Sequence, residues 1–228
     1  MLTGKAIRFL LASTLALTLA PWLSFGQARP GQAPSKGPII QVQARGGGFL
    51  PEKVWEQVRR IPNAAQVQSV LEGKTADGVR VIGVEPAPVL YLRWGGELVA
   101  AAIIQGRGFE RGDAPEAMVV GKTFSQKTKT ALGLSIPAML TKDHFPPIIV
   151  GGQGFAIVGI YATGDAQADD QVLVLLPAAQ RLLNRPGRLS GLYVIPTSPA
   201  TADQVAKDLR RILGEMVEVA RLPVREAK

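Results

Sequence analysis

The sequence predicts an α+β protein with two parts: an α/β layer built from both ends of the chain, and a strand-rich segment inserted between them. Two observations support this fold class. A strand–helix–strand pattern occurs near each end, and short apolar runs bounded by glycine and proline dominate the middle. The hydrophobic share of 46% and charged share of 19% are those of a globular protein. The predicted boundaries are 38–106 with 190–221 for the layer, 107–189 for the insert and 222–228 for a tail.

The N-terminal segment 1–28 is predicted to direct the chain out of the cytoplasm. Lys5 and Arg8 precede Phe9–Ala20, which contains no charged residue, and small residues follow a few positions later. Two interpretations stay open: a secretory signal that is cleaved, or an anchor over residues 6–25 that tethers the chain to the inner membrane. In both, the rest of the chain is exported and lies in the periplasm or another extracytoplasmic space.

The first strand–helix–strand unit follows a linker rich in proline and glycine, residues 29–37. Alternating apolar and polar residues predict a strand over Pro38–Ala44, and Pro51 fits the first turn of a helix. Ala65–Leu71 is the predicted return strand. Apolar residues three or four positions apart give the helix one face that can pack on a sheet. These residues are Val54, Val58 and Ile61.

The second unit repeats the pattern near the other end. Gly191–Ile195 is a predicted strand, and Ser198 before Pro199 is a favourable helix start. Gly214 ends the helix, and Met216–Ala220 is the next strand. Because both units have the form βαβ, they favour one shared layer. The predicted apolar face of this helix contains Ala202, Val205, Leu209 and Ile212.

The segment between the two units contains further short apolar runs. Pro86–Val99 has no clear pattern, and no element is assigned to it. A short helix is predicted over Thr123–Leu132. The predicted strands are Val79–Val84, Ala100–Ile104, Ala117–Val120, Ser135–Thr141 and Ile148–Val150.

A block near the end of the insert contains the clearest elements. Phe155–Ala162 is rich in β-branched and aromatic residues, which predicts a buried strand. Asp169 and Asp170 are predicted to lie in a solvated loop. Gln171–Leu176 is the next strand, and Pro177–Asn184 begins as a helix because proline is favoured in the first turn.

Patterns of reacting or ligating residues are incomplete in this sequence. Lys122 and Thr123 follow a predicted strand and a glycine, as in a phosphate-binding loop, but Glu116 stands where that loop needs its first glycine. His144 is the only histidine and there is no cysteine, so a thiolate metal site is excluded. We therefore expect no catalytic residue, no metal and no cofactor.

The net charge of +8 comes from scattered basic residues. They do not alternate with aromatic residues as in a nucleic-acid groove, so we expect no nucleic-acid partner. A basic surface instead suits the anionic headgroups of a membrane surface. The segment Leu90–Trp94 could expose an apolar patch of the kind that marks partner sites, and Tyr91, Arg93 and Trp94 are its candidate contact residues.

Several motifs occur in a fixed order over residues 36–221. They are Gln41–Ala44 with Leu50–Glu52, Ile104–Phe109 with Asp113, Ala117–Gly121, Leu132–Ile136, Phe155–Ile160, Asp169-Asp170 and Pro177–Leu183. Together they resemble the periplasmic core domain of MacB/LolC-type (FtsX-like) ABC transporter permeases. The resemblance implies that the layer is the family's porter-like subdomain and that the domain is not an enzyme.

The resemblance also implies partners. In this family the domain couples ATP hydrolysis by a cytoplasmic ABC ATPase to export of a lipoprotein, lipid, peptide or drug, and a periplasmic adaptor can take part. The family continues into further membrane helices, so we expect a separate membrane permease subunit. Two alternatives stay open: a free-standing exported binding or adaptor protein with the same fold, and an exported enzyme with an unrecognised site.

Overall fold

A computed structural model describes residues 37–130, 132–141 and 144–225. The predicted signal or anchor at 1–28, its tether 6–25 and most of the linker lie outside these residues. The α-helices are α1 (Val54–Val58), α2 (Lys122–Lys127), α3 (Ile136–Met139), α4 (Leu176–Leu182) and α5 (Ala202–Leu213). The strands are β1 (Ile39–Ala44), β2 (Leu50–Pro51), β3 (Ala64–Lys74), β4 (Arg80–Val84), β5 (Leu90–Trp94), β6 (Glu97–Gly106), β7 (Ala117–Gly121), β8 (Pro147–Val150), β9 (Gln153–Ala162), β10 (Val172–Leu175), β11 (Arg188–Leu189), β12 (Gly191–Pro196), β13 (Val217–Leu222) and β14 (Val224–Arg225).

The two strand–helix–strand units interlock in one sheet. The strand order there is β13-β1-β12-β3, and each neighbouring pair is antiparallel. β12 therefore lies between β1 and β3, the parallel strands of the first unit, while β1 lies between β12 and β13. This is a split βαβ arrangement, in which neither unit can form its half of the sheet alone. The predicted α+β class, with a layer drawn from both chain ends, is confirmed.

Helices α1 and α5 cover the interlocked strands with the apolar faces that periodicity predicts. Val58 and Leu209 are completely buried. Ser198 and Thr201 form a capping box at the short 3-10 turn, Pro199–Thr201, that leads into α5. Ile212 is an exception to the prediction, because it is 42% exposed and lies at the edge of the apolar face.

The rest of the chain extends the same sheet. Beyond β3 the order is β4-β10-β7-β9-β6-β14, with β5 also paired to β6 and β8 to β9. β10, from the predicted insert, pairs with β4 in parallel and with β7 in antiparallel orientation. β6 pairs with strands on both sides of the predicted boundary at residues 106 and 107. The division into subdomains stays a prediction.

Some predicted elements were wrong. Ser135–Thr141 is not a strand, because its centre forms helix α3, with Pro137 in the first turn. The helix predicted over Thr123–Leu132 ends at Lys127. The unassigned segment Pro86–Val99 contains β5 and the start of β6, joined by Gly95 and Gly96. Both glycines have positive φ, 59° and 86°, which is the backbone of a tight two-residue hairpin turn.

The core has two halves, one on each face of the sheet. Successive residues of a strand point to opposite faces, so Val81 belongs to one half and Ile82 to the other. The helices cover the first face, where α4 approaches β4 so closely that a Cβ on Gly83 would lie 2.3 Å from the Cβ of Ala179. The β5–β6 hairpin contributes Leu90, Leu92 and Leu98 to the second half. The tip of this hairpin forms one wall of a groove whose other walls include residues of β3 and β4.

Candidate binding groove

The β5–β6 hairpin is attached to the sheet by a side chain that imitates a strand. Gln68, on β3, is 1% exposed. Its Nε2 donates to the carbonyl of Tyr91 at 2.9 Å, and its Oε1 accepts from the amide of Tyr91 at 3.1 Å. Both backbone groups of Tyr91 that face away from β6 are therefore satisfied by one buried amide. This contact fixes where the tip of the hairpin lies.

The structure separates the three residues that the sequence groups as a partner surface. Tyr91 is 2% exposed and belongs to the core, so its side chain is not available to a partner. Tyr91 and Arg93 lie on the same face of β5, and that face is covered at Tyr91 but open at Arg93, near the end of the strand. Arg93 is exposed and Trp94 half-buried at the tip of the hairpin. These two residues remain the proposed contact residues.

Arg93 and Trp94 line a groove of about 310 Å³ between the hairpin tip and the sheet. Its other walls come from β3, β4 and the residue that precedes β10. The lining residues are Glu72, Gly73, Lys74, Arg80, Val81, Ile82, Arg93, Trp94 and Gln171. We call this space the tip groove. A neighbouring depression shares Glu72, Arg93 and Trp94 and extends to Gly95, Gly96 and Gln167.

Basic side chains dominate the tip groove. Lys74 and Arg80 are paired across β3 and β4, so their side chains point to the same face of the sheet. The guanidinium of Arg80 lies 5.5 Å from the centre of the Trp94 ring, within cation–π distance. Among the residues that the structure describes, Lys74, Arg80 and Arg93 form no ion pair within 4 Å.

Glu72 is the acidic residue of the groove. Burial raises the pKa of its carboxyl group, while the hydrogen bond from Tyr193 and the charge of Arg93 act in the opposite direction. The Tyr193 hydroxyl donates to Oε1 of Glu72 at 3.3 Å. Ser190 fixes the backbone here, because its Oγ accepts from the amide of Glu72 at 2.9 Å. The carboxyl group is thus held at the base of a basic groove.

Gln171 contributes a free donor to the groove wall. The residue is 4% exposed, and its Nε2 has no hydrogen-bond partner among the described residues. The neighbouring Tyr161 hydroxyl donates to the carbonyl of Ala168 at 3.0 Å. Glu72, Arg80 and Gln171 were not predicted as site residues from the sequence, because only strand pairing brings them together.

The other residues that the sequence suggested for phosphate binding, catalysis or metal binding have structural roles or lie on the surface. A Cβ at Gly121 would lie 2.1 Å from the carbonyl oxygen of Asp169, so the glycine allows close backbone packing where a phosphate loop would need open amides. His144 is exposed. In the described part of the chain, histidine, aspartate and glutamate form no cluster of three or more that could hold a metal ion.

The loop before β10 differs from its prediction. Asp169 is not solvated but 4% exposed. Its Oδ1 accepts from both the amide and the hydroxyl of Thr163, each at 2.8 Å. Asp170 does face solvent in part, where it pairs with Lys127 at 2.7 Å. The buried carboxylate therefore organises the loop that leads to Gln171.

None of the described helices has the length and apolar character needed to cross a membrane.

Comparisons with known proteins agree with this architecture. The periplasmic region of MacB from Actinobacillus actinomycetemcomitans has the same fold, with a TM-score of 0.55 and 9% identity over 80% of this chain and 88% of that one. The extracellular domain of the noncanonic ABC-type transporter YknZ from Gram-positive bacteria has a TM-score of 0.53 and 14% identity, over 80% of this chain and 99% of that one. No curated protein matches. The MacB-like periplasmic core domain model matches residues 23–212. The chain therefore belongs to the family of MacB-like periplasmic core domains of ABC transporter permeases.

Proposed function

We propose that this chain is a non-catalytic coupling module of a MacB-type export system. In this role it acts outside the cytoplasm and transmits movement that a cytoplasmic ABC ATPase drives, through a separate membrane permease subunit, to a lipoprotein, lipid, peptide or drug. A periplasmic adaptor and the anionic membrane surface are further proposed contacts. Family membership supports the general role, and the pairing of the first strand, β1, with β13 supports the coupling.

The observation that carries this proposal is the pairing of the first and last strands of the layer. Ile39, the first residue of β1, lies opposite Leu222, the last residue of β13. Only the short strand β14, which pairs with β6, follows β13 in the described residues. A membrane segment that precedes β1 would therefore act on the β1–β13 edge of a twelve-stranded sheet. Such a sheet moves as a unit, because its interior is close-packed and hydrogen-bonded throughout.

A pull-down from native membranes tests this function. The full chain is crosslinked, solubilised in detergent and isolated, and mass spectrometry identifies its N-terminus and its partners. We expect an ATPase and a membrane permease subunit to be recovered together with the chain. Recovery from the soluble fraction, with an N-terminus near Gln27 and without an ATPase, would contradict the proposal and leave the exported binding protein as the function.

The hairpin tip can be examined in the same experiment. If Arg93 and Trp94 contact a partner, the double variant Arg93→Glu, Trp94→Ala will recover less of it. Arg111→Glu is the matched control, because Arg111 is exposed and does not line the groove. If both variants recover the same amount of partner, the hairpin tip is not part of the partner surface. The proposed coupling role would not be affected by that result.

The alternative of a free-standing exported binding protein has one observation in its favour. The tip groove combines unpaired basic side chains with the half-buried ring of Trp94, and these groups can hold a ligand without any membrane partner. A soluble, cleaved chain that retains a ligand after purification would favour this alternative.

A further inference from the structure

We propose that the tip groove binds an oxyanion, a phosphate or carboxylate, carried by a small ligand whose apolar part lies against Trp94. This goes beyond the proposed transport role and does not depend on it. A coupling module and a free-standing binding protein could both contain such a site.

The charges of the groove select an anion. Lys74, Arg80 and Arg93 surround the space, and within the described ranges none of them has a carboxylate within 4 Å. Guanidinium groups bind carboxylates and phosphates with two parallel hydrogen bonds, which gives both strength and geometry. Arg80 is held beside the groove by its contact with the Trp94 ring, so little ordering is needed when an anion binds.

Gln171 provides an independent reason to expect a ligand. Buried polar atoms in native proteins are almost always hydrogen-bonded, and an unmatched donor lowers stability. Gln171 is only 4% exposed, yet its Nε2 has no hydrogen-bond partner among the described residues. Gln171 lines the groove, but its Nε2 is enclosed, so the amide would reach an acceptor placed there through a rotation of the side chain on binding. Oxygen atoms of a phosphate or carboxylate are such acceptors.

Glu72 is the one group that would oppose an anion. Burial favours the uncharged form of its carboxyl group, and Tyr193 already donates a hydrogen bond to Oε1. An uncharged carboxyl group can donate to an oxyanion, and the three basic side chains outweigh Glu72 when it is ionised. The groove thus presents donors on several sides.

The dimensions of the groove limit the ligand. Its volume of about 310 Å³ lies at the lower end of small-molecule sites, which range over roughly 300–1,000 Å³. The half-buried ring of Trp94 provides apolar surface beside the basic groups. A headgroup or a single residue with a terminal oxyanion fits this mixture, whereas a folded partner does not.

Nuclear magnetic resonance of the full chain in a non-ionic detergent tests the proposal. The signals to follow are the side-chain amide of Gln171 and the indole N–H of Trp94, identified from the spectra of Gln171→Leu and Trp94→Phe. Sodium phosphate, glycerol 3-phosphate and sodium acetate are titrated against sodium chloride at equal ionic strength. We expect at least one oxyanion, but not chloride, to shift both signals to saturation. If none of the three does so, the proposal is wrong.

Two substitutions give opposite expected effects. Arg93→Gln should weaken binding about tenfold or more, as expected for the loss of a charge-assisted hydrogen bond. Glu72→Gln retains an acceptor for Tyr193 and removes the negative charge of the ionised fraction of Glu72, so it should tighten binding. Arg111→Gln, outside the groove, should change nothing. Tighter binding in Arg93→Gln, or loss of binding in Glu72→Gln with an unchanged melting temperature, would indicate a cationic ligand and overturn the proposal.

The three oxyanions also distinguish the source of the ligand. Tightest binding of glycerol 3-phosphate indicates a lipid headgroup, and that of inorganic phosphate indicates the free ion. Tightest binding of acetate indicates the carboxylate of a small ligand. Each of these results supports an oxyanion site.

Discussion

The side-chain amide of Gln68 forms two hydrogen bonds with the backbone of Tyr91, at 2.9 and 3.1 Å, and so joins the outer edge of β5 to the face of β3. This pair determines the shape of the tip groove, because Arg93 and Trp94 follow Tyr91 on the same strand. Gln66, two residues earlier on β3, makes only a long 3.5 Å contact with the carbonyl of Val89.

Gln68→Leu should lower the free energy of unfolding by about 2–4 kcal/mol, because it leaves the amide and carbonyl of Tyr91 without partners. Urea denaturation measures the change. Gln66→Leu is the matched control and should stay within about 1 kcal/mol of the parent, since it loses one weak contact. Equal losses in the two variants would show that the Gln68 contact does not hold the hairpin.

Asp169 and Asp170 are adjacent carboxylates with different surroundings. Substitution of each should therefore lower the free energy of unfolding by a different amount. Asp169→Ala should lower the free energy of unfolding by about 2–3 kcal/mol, because two buried hydrogen bonds from Thr163 are lost. Asp170→Ala removes a surface ion pair with Lys127 and should cost about 1 kcal/mol or less. Thermal denaturation of both variants checks the difference; a larger effect for Asp170 would contradict the buried role of Asp169.

Gly121 permits the close approach of β7 to the loop before β10. Gly121→Ala should lower the free energy of unfolding by about 1–3 kcal/mol, because its Cβ would lie 2.1 Å from the backbone oxygen of Asp169. Gly154→Ala, in strand β9, has no atom within 4 Å of the new methyl group and should be tolerated. Chemical denaturation of the two variants compares them; an unaffected Gly121→Ala would show that the backbone there can move apart.

The ion pair of Arg107 and Asp113 should make stability depend on pH. The guanidinium forms two hydrogen bonds with the carboxylate, at 2.7 and 2.8 Å, and the side chain of Asp113 is only 11% exposed. The bond from Arg107 lowers the pKa of Asp113 below its ordinary value of 3.8. The stabilisation is therefore present above pH 3.8 and is lost as the pH falls through the lower pKa of the folded protein.

The comparison of the parent with Asp113→Asn measures this effect. At pH 7 the variant should be less stable by about 1–2 kcal/mol, because a charge-assisted pair is replaced by a weaker one at a partly exposed site. The difference should shrink as the pH is lowered below 3.8. A difference that is constant between pH 7 and pH 2 would mean that ionisation of Asp113 makes no contribution.

The local elements of this protein follow from its sequence, because each is marked within a few residues. Alternation predicts β1, and an apolar face flanked by Ser198 and Gly214 predicts α5, with Gly214 at φ 63° where a residue with a side chain would be strained. The family motifs are also read along the chain, so the α+β class and the family could be recognised without coordinates.

The sequence could not show which strands are neighbours, because pairing joins residues far apart in the chain and one step in register turns every side chain to the opposite face. Only the tertiary structure inserts β12 between β1 and β3, buries Tyr91 and leaves Arg93 exposed. The tip groove depends on the same pairing, since Glu72 and Gln171 are 99 positions apart and meet only because β4 lies between β3 and β10. The sequence by itself thus determined the elements and the family, whereas long-range strand pairing decided the core and the binding groove.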